Sequence, residues 1–267
     1  MKTKILATVL VAAALGELAA SAQTFNYNSG DLLAAFRKSG SPDLVVDLGS
    51  ISQYQQAAAS GSGTYTFNLG TDLTSTFGSM TSIYWSVFTY DSDGTYAPAN
   101  TLWMSDPRSD VNVQNNPPTT ATSSSQGLVT YQMGAIADAL SASYGTIIDN
   151  QVIQLPNDLG ASTGGDPASY TTALGTSLDF NGTYGQPFEN ISSSSTASVS
   201  DLFQENPSPL HNPGAGTELG TITLDPTGKL TVQAVPEPST WALLGSGLIG
   251  LVAFRRMQKE INKQQPE

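Results

Sequence analysis

Cysteine is absent from this 267-residue chain and histidine occurs once. Without cysteine there is no disulfide, no thiolate zinc ligand and no thiol nucleophile. With His211 alone, a zinc hydrolase lacks its nitrogen ligands. A serine triad would have to recruit His211, the one histidine, from the proline-dense stretch 206–216. Positive charge is also scarce: ten basic against 22 acidic side chains leave a formal charge of −12. That balance opposes phosphate binding and excludes nucleic acid as an expected partner. Charged residues make up 12% of the chain, roughly half the usual share of about 25%.

The little positive charge present is concentrated at the ends. Lys2 and Lys4 precede the charge-free run from Ile5 to Leu15, and Ala20-Ser21-Ala22 follows it. A basic start, a short apolar core and small residues at the −3 and −1 positions predict a signal peptide over 1–22, cleaved after Ala22, with Ala20 and Ala22 as the recognition pair. At the other end Pro236-Glu237-Pro238 leads into the charge-free run Trp241–Phe254, then Arg255-Arg256 and a polar tail at 260–267. Fourteen helical residues cover about 21 Å, less than the ~30 Å of a hydrocarbon core. The run is nevertheless apolar all round, Trp241 and Phe254 flank it, and the arginines stand where positive-inside residues would hold it. Membrane thinning and arginine snorkelling can absorb the mismatch, so 241–254 is expected to be a transmembrane helix. Within it Gly245-Ser-Gly-Leu-Ile-Gly250 spells a dinucleotide fingerprint, but no strand–helix context surrounds it and no cofactor is expected.

Signal peptide, Pro236-Glu237-Pro238, apolar helix and Arg255-Arg256, in that order, resemble a PEP-CTERM sorting signal over 235–259. The resemblance implies an exosortase as partner, a membrane cysteine protease or transpeptidase that acts near Pro-Glu-Pro and removes the helix. It further implies Sec export, signal peptidase, passage through the inner membrane, and the surface or matrix of a Gram-negative bacterium that makes extracellular polysaccharide. The two prolines keep the motif extended, the form that a protease cleft binds.

Between the ends, residues 23–235 carry four basic side chains (Arg37, Lys38, Arg108, Lys229) against 18 acidic ones, a net −14. The exported domain, 23–234, reads as mainly β: an antiparallel β-sandwich-like or β-rich α+β domain with a few short helices. Asp31–Arg37 and Leu44–Gly49 suggest a first hairpin, although Ser29 could instead cap a helix over the first run. Short helices are expected at 52–59 and 73–77. The β-branched and aromatic run 82–90 should pair with 101–105. Residues 111–125 read as a polar loop. Residues 127–143 read as a helix with Leu128, Tyr131, Ile136 and Leu140 on its apolar stripe. A strand is expected at 151–155, a short helix ending 193–203, and a last hairpin at 220–233 around Asp225-Pro-Thr-Gly228.

Three sites of chemistry are candidates. Asp91-Ser92-Asp93-Gly94 has the alternating carboxylates of a calcium loop but no closing glutamate, so calcium and a plain hairpin turn both remain open. Trp85 and Trp103 could form an aromatic platform for a sugar ring. Asp91, Asp93, Asp106, Asp110, Glu189 and Glu205 could include the two carboxylates that a glycosidase or lyase needs, although no motif selects a pair. The expectation is an exported, non-enzymatic surface or matrix protein associated with extracellular polysaccharide, without catalytic residues. A carbohydrate-binding module and a secreted glycosidase or lyase are the alternatives.

Overall fold

Unbroken apolar runs such as Leu32–Phe36 fit a strand only when both faces of its sheet are covered, and that is the arrangement found. The computed structural model describes residues 25, 27–118, 126–127, 129–131, 133–134, 136, 140, 145–149, 151–155, 170, 174, 188–208, 216–235 and 254–255. The signal peptide and most of the sorting tail lie outside them.

β1 (Asp31–Arg37) turns back into β2 (Asp43–Ser50), so the first run is a strand and not a capped helix. Helix α1 (Ile51–Ser60) follows, capped by the Ser50 hydroxyl and ended by Gly61 in the left-handed region at φ 67°. β3 (Thr64–Asn68), α2 (Gly70–Phe77), β4 (Tyr84–Asp91) and β5 (Thr101–Pro107) come next. Beyond a loop and a helical stretch within 126–140 lie β6 (Thr146–Ile147), β7 (Val152–Leu155), β8 (Asn190–Ile191) and β9 (Ser198–Glu205). β10 (Thr217–Leu224) and β11 (Lys229–Ala234) form the final hairpin.

All strands join one antiparallel sheet in the order β3-β11-β10-β9-β5-β4-β1-β2-β7-β6, with β8 beside β4. The two-sheet sandwich is thus corrected to a single curled sheet. Curling is required because α1 touches β2 as well as β10 and β11, although β2 and β10 are five places apart along the sheet. On the concave side, Ile51, Tyr54 and Ala58 of α1 and Leu73 and Phe77 of α2 pack with Leu32, Phe36, Trp85, Trp103 and Leu230. On the other face Leu33, Phe88 and Met104 pack against Val129, Met133, Ile136 and Leu140. Those four define the helical stripe. Tyr131, expected within it, points outward and is 74% exposed, a correction of about one-third of a turn in helix register.

A second correction concerns 193–203, where a short helix was expected. Val199, Leu202 and Phe203 have helical spacing, yet they lie on β9, hydrogen-bonded to β5 on one side and β10 on the other. Two long-range ladders outweigh local spacing there. The alternation of β9 then sends Leu202 to the α1 side and Asp201, Phe203 and Glu205 to the opposite face.

Candidate functional site

The acids sent to that opposite face meet others on neighbouring strands. Asp106 of β5 is the cross-strand partner of Asp201 on β9, and Glu205 lies four residues farther along the same strand. Glu218 enters from β10, where a register shift separates it from Gly220. Among the described residues a single cation serves this cluster: Arg108 Nε donates to Asp201 Oδ1 at 2.8 Å, while its Nη2 lies 4.0 Å from Glu218 Oε1. The chain after Arg108 folds over the group. Asn115 N–H donates to Asp201 Oδ2 at 2.8 Å, and the Gln114 side-chain amide donates to Glu218 Oε2. Asp106, Pro107, Ser109 and Asn115–Pro118 line an adjacent cavity of about 380 Å³.

One guanidinium cannot offset the burial of every carboxylate in this group, so burial favours the protonated form of Asp106, Glu205 and Glu218. Burial, reinforced by the Asp106 charge, pushes Glu205 up to about 8. Burial and Asp201 raise Glu218 to about 7 against the pull of Arg108. Burial likewise raises Asp106 to about 6, with Asp201 adding to it and an Asn115 hydrogen bond opposing. Glu205 is fully buried, and neither of its carboxyl oxygens has a hydrogen-bond partner among the described residues. Gly216 packs so closely on this carboxyl that a Cβ there would collide with it. Burial is thus the largest cause of the upward shift at all three carboxyls. Among the described residues no three His, Cys, Asp or Glu side chains converge to hold a metal.

Of the six acids named from the sequence, the structure brings Asp106 and Glu205 into one group and Asp91 and Asp93 into one loop, and places Glu189 and Asp110 elsewhere. Asp201, Glu218 and Arg108 complete the cluster and were not among the sequence candidates. Asp201 stands in the run read as ending in a helix, Glu218 just before the expected last hairpin and Arg108 just after the expected strand 101–105, so no expected strand carried any of the three. Glu189 is held by Arg37, whose Nε donates to Oε1 at 2.8 Å, and by the Tyr170 hydroxyl at 2.9 Å, while Arg37 also covers the Tyr84 ring at 4.4 Å. Asp110 accepts from the Asn112 N–H in an exposed turn. Asp91 Oδ1 accepts from the N–H groups of Asp93, Gly94 and Thr95, and Oδ2 from those of Tyr96 and Ala97. Burial pushes this carboxyl up, but the ring of N–H donors prevails and holds it below the ordinary aspartate value. Asp93 Oδ1 accepts from the N–H and hydroxyl of Thr95, so both carboxylates organise the loop between β4 and β5.

Trp85 and Trp103 are fully buried in the concave core. Trp85 Nε1 donates to Ser198 Oγ at 3.0 Å and Trp103 Nε1 to Gln204 Oε1 at 3.1 Å. Neither indole offers a face to solvent, which corrects the expected sugar platform. Coverage of both sheet faces leaves no wet side for β4 and β5 to present.

At the chain's end β11 remains in the sheet up to Ala234, whose N–H donates to Gly63 O at 2.9 Å, and Val235 N–H donates to Leu219 O at 3.2 Å. Pro236, Glu237, Pro238, Trp241 and Arg256 lie outside the described residues, as do Ala20 and Ala22. Phe254 and Arg255 are helical and exposed. Among the described residues no helix is long and apolar enough to cross a membrane; 241–253 fall outside that set. No curated protein and no solved structure matches the chain. A family model of the PEP-CTERM protein-sorting motif matches residues 234–256. The chain therefore carries a PEP-CTERM sorting signal that begins at the last residue of its final strand, and it is an exported protein with an exosortase as its sorting partner.

Proposed function

We propose that this exported chain is a non-enzymatic structural protein of the bacterial surface or extracellular matrix, released there by exosortase cleavage near Pro236–Pro238 and associated with extracellular polysaccharide. The sorting motif at 234–256 is the observation that carries the reading. The interior supports it: the buried acids are engaged with Arg37, Arg108 or backbone N–H groups, or have their protonated form favoured by burial, and Trp85 and Trp103 serve the core. In this reading the signal peptide starts translocation, the apolar run 241–254 stalls it, and Arg255 and Arg256 keep the tail cytoplasmic. The −14 body then leaves the anionic membrane, from which its charge repels it.

Deletion of the gene in an exosortase-positive host, followed by fractionation and inspection of biofilm or floc, tests the role. Loss of matrix cohesion, restored by the chain but not by one truncated after Val235, supports it. An unchanged matrix, or wild-type protein found only in the inner membrane, contradicts it.

A further inference from the structure

The last strand and the sorting motif share one residue, Ala234. β11 ends at Ala234, and the matched motif begins there. The backbone bonds of Ala234 to Gly63 and of Val235 to Leu219 tie the chain to the strands on both sides until one residue before Pro236. Only residues 236–240 separate that tie from the apolar run at Trp241. Five extended residues reach at most about 17 Å, no more than the radius of gyration of about 17 Å expected for a folded body of this size. An enzyme in the membrane that acts within this segment must therefore touch the body.

The surface it meets is the end of the sheet built from the C-terminus of α1, the start of β3, the start of β10 and the end of β11. Its exposed side chains are Ser60, Ser62, Thr64 and Gln233, with Thr217 half-buried beside them. None is charged, and Glu218 next to them is buried. The opposite end of the same β10–β11 hairpin carries Asp225 and Lys229. In a body of net −14, a patch beside Val235 whose described exposed side chains carry no acid can be brought close to an enzyme set among anionic headgroups, while the exposed Asp93 sits farther across the same end, in the β4–β5 loop.

We infer that this uncharged patch around Val235 is a docking surface for the exosortase, so that the enzyme engages the folded body together with Pro236–Pro238. The inference rests on the sorting reading above and adds a second recognition element to it. The test follows processing of the full chain by pulse-chase in an exosortase-positive host. The variant S62E/T64E/Q233E is expected to be cleaved about tenfold more slowly, equivalent to ~1.4 kcal/mol of repulsion in the enzyme–substrate encounter. Thr227→Glu, exposed at the opposite end, keeps the wild-type rate. A Gly-Ser spacer of about 15 residues between Val235 and Pro236, adding roughly 20 Å of reach, restores the triple variant. A wild-type rate in the triple variant, or slow cleavage that the spacer does not relieve, overturns the inference. Failure of the wild-type chain to be cleaved at all overturns the sorting reading and the inference with it.

Discussion

Replacing Glu205 with glutamine should convert a fold that weakens toward alkaline pH into one that holds. Glu205 is fully buried, its oxygens have no partner among the described residues, and its carboxyl is raised from 4.5 to about 8. Because the folded value lies above the unfolded one, the folded state binds the proton more tightly. The resulting stability is fully present below about pH 4.5 and is lost as pH rises toward about 8. At 1.36 kcal/mol per pH unit, ionising Glu205 within the fold costs up to ~5 kcal/mol, comparable to the whole stability of a marginal domain. Glutamine fills the same space without ionising. Urea denaturation followed by fluorescence of the buried Trp85 and Trp103, from about pH 5 to about pH 9, reads the effect. The wild-type midpoint should fall across this range and the Glu205→Gln midpoint should fall much less, with Glu218 and Asp106 leaving a residual slope. Parallel profiles for the two proteins would refute the reasoning.

Three further outcomes follow from the same packing. Arg108→Met leaves Asp201 buried without its cation and should cost about 3–5 kcal/mol, measured by thermal melting. Asp91→Ala removes the acceptor of five backbone N–H groups and should cost about 1–3 kcal/mol, while added Ca²⁺ leaves the wild-type melting temperature unchanged. Gly216→Ala drives a methyl into the Glu205 carboxyl and should destabilise by about 1–3 kcal/mol. In a double-mutant cycle with Glu205→Ala that loss should shrink, because the colliding group is gone.

Local chemistry was legible in the sequence where a turn decides the structure. Asp225-Pro-Thr-Gly228 makes the last hairpin because Asp225 Oδ1 accepts from the N–H of Thr227 and Lys229, and because Gly228 takes φ 83°. The same holds for β1–β2, for α1 and for the β4–β5 pair. Sheet order was not legible. β5 pairs with β9 across roughly a hundred residues, and no propensity at either strand names the other. That pairing makes one curled sheet out of what composition reads as a sandwich, buries Trp85 and Trp103, and gathers Asp106, Asp201, Glu205 and Glu218. Acids in strand-like runs look solvated until both faces of the sheet are seen to be covered. β3 escaped notice because Thr64–Asn68 is short and half-polar, as suits an edge strand. The sorting signal was readable because it is linear: motif, apolar run and arginine pair act in sequence order.

The C-terminus of the mature protein decides the central claim. Mass spectrometry of the chain recovered from the medium or matrix of an exosortase-positive host should find a new end near Pro236–Pro238, without residues 241–267. A mature protein still ending at Glu267 in that host would contradict the account.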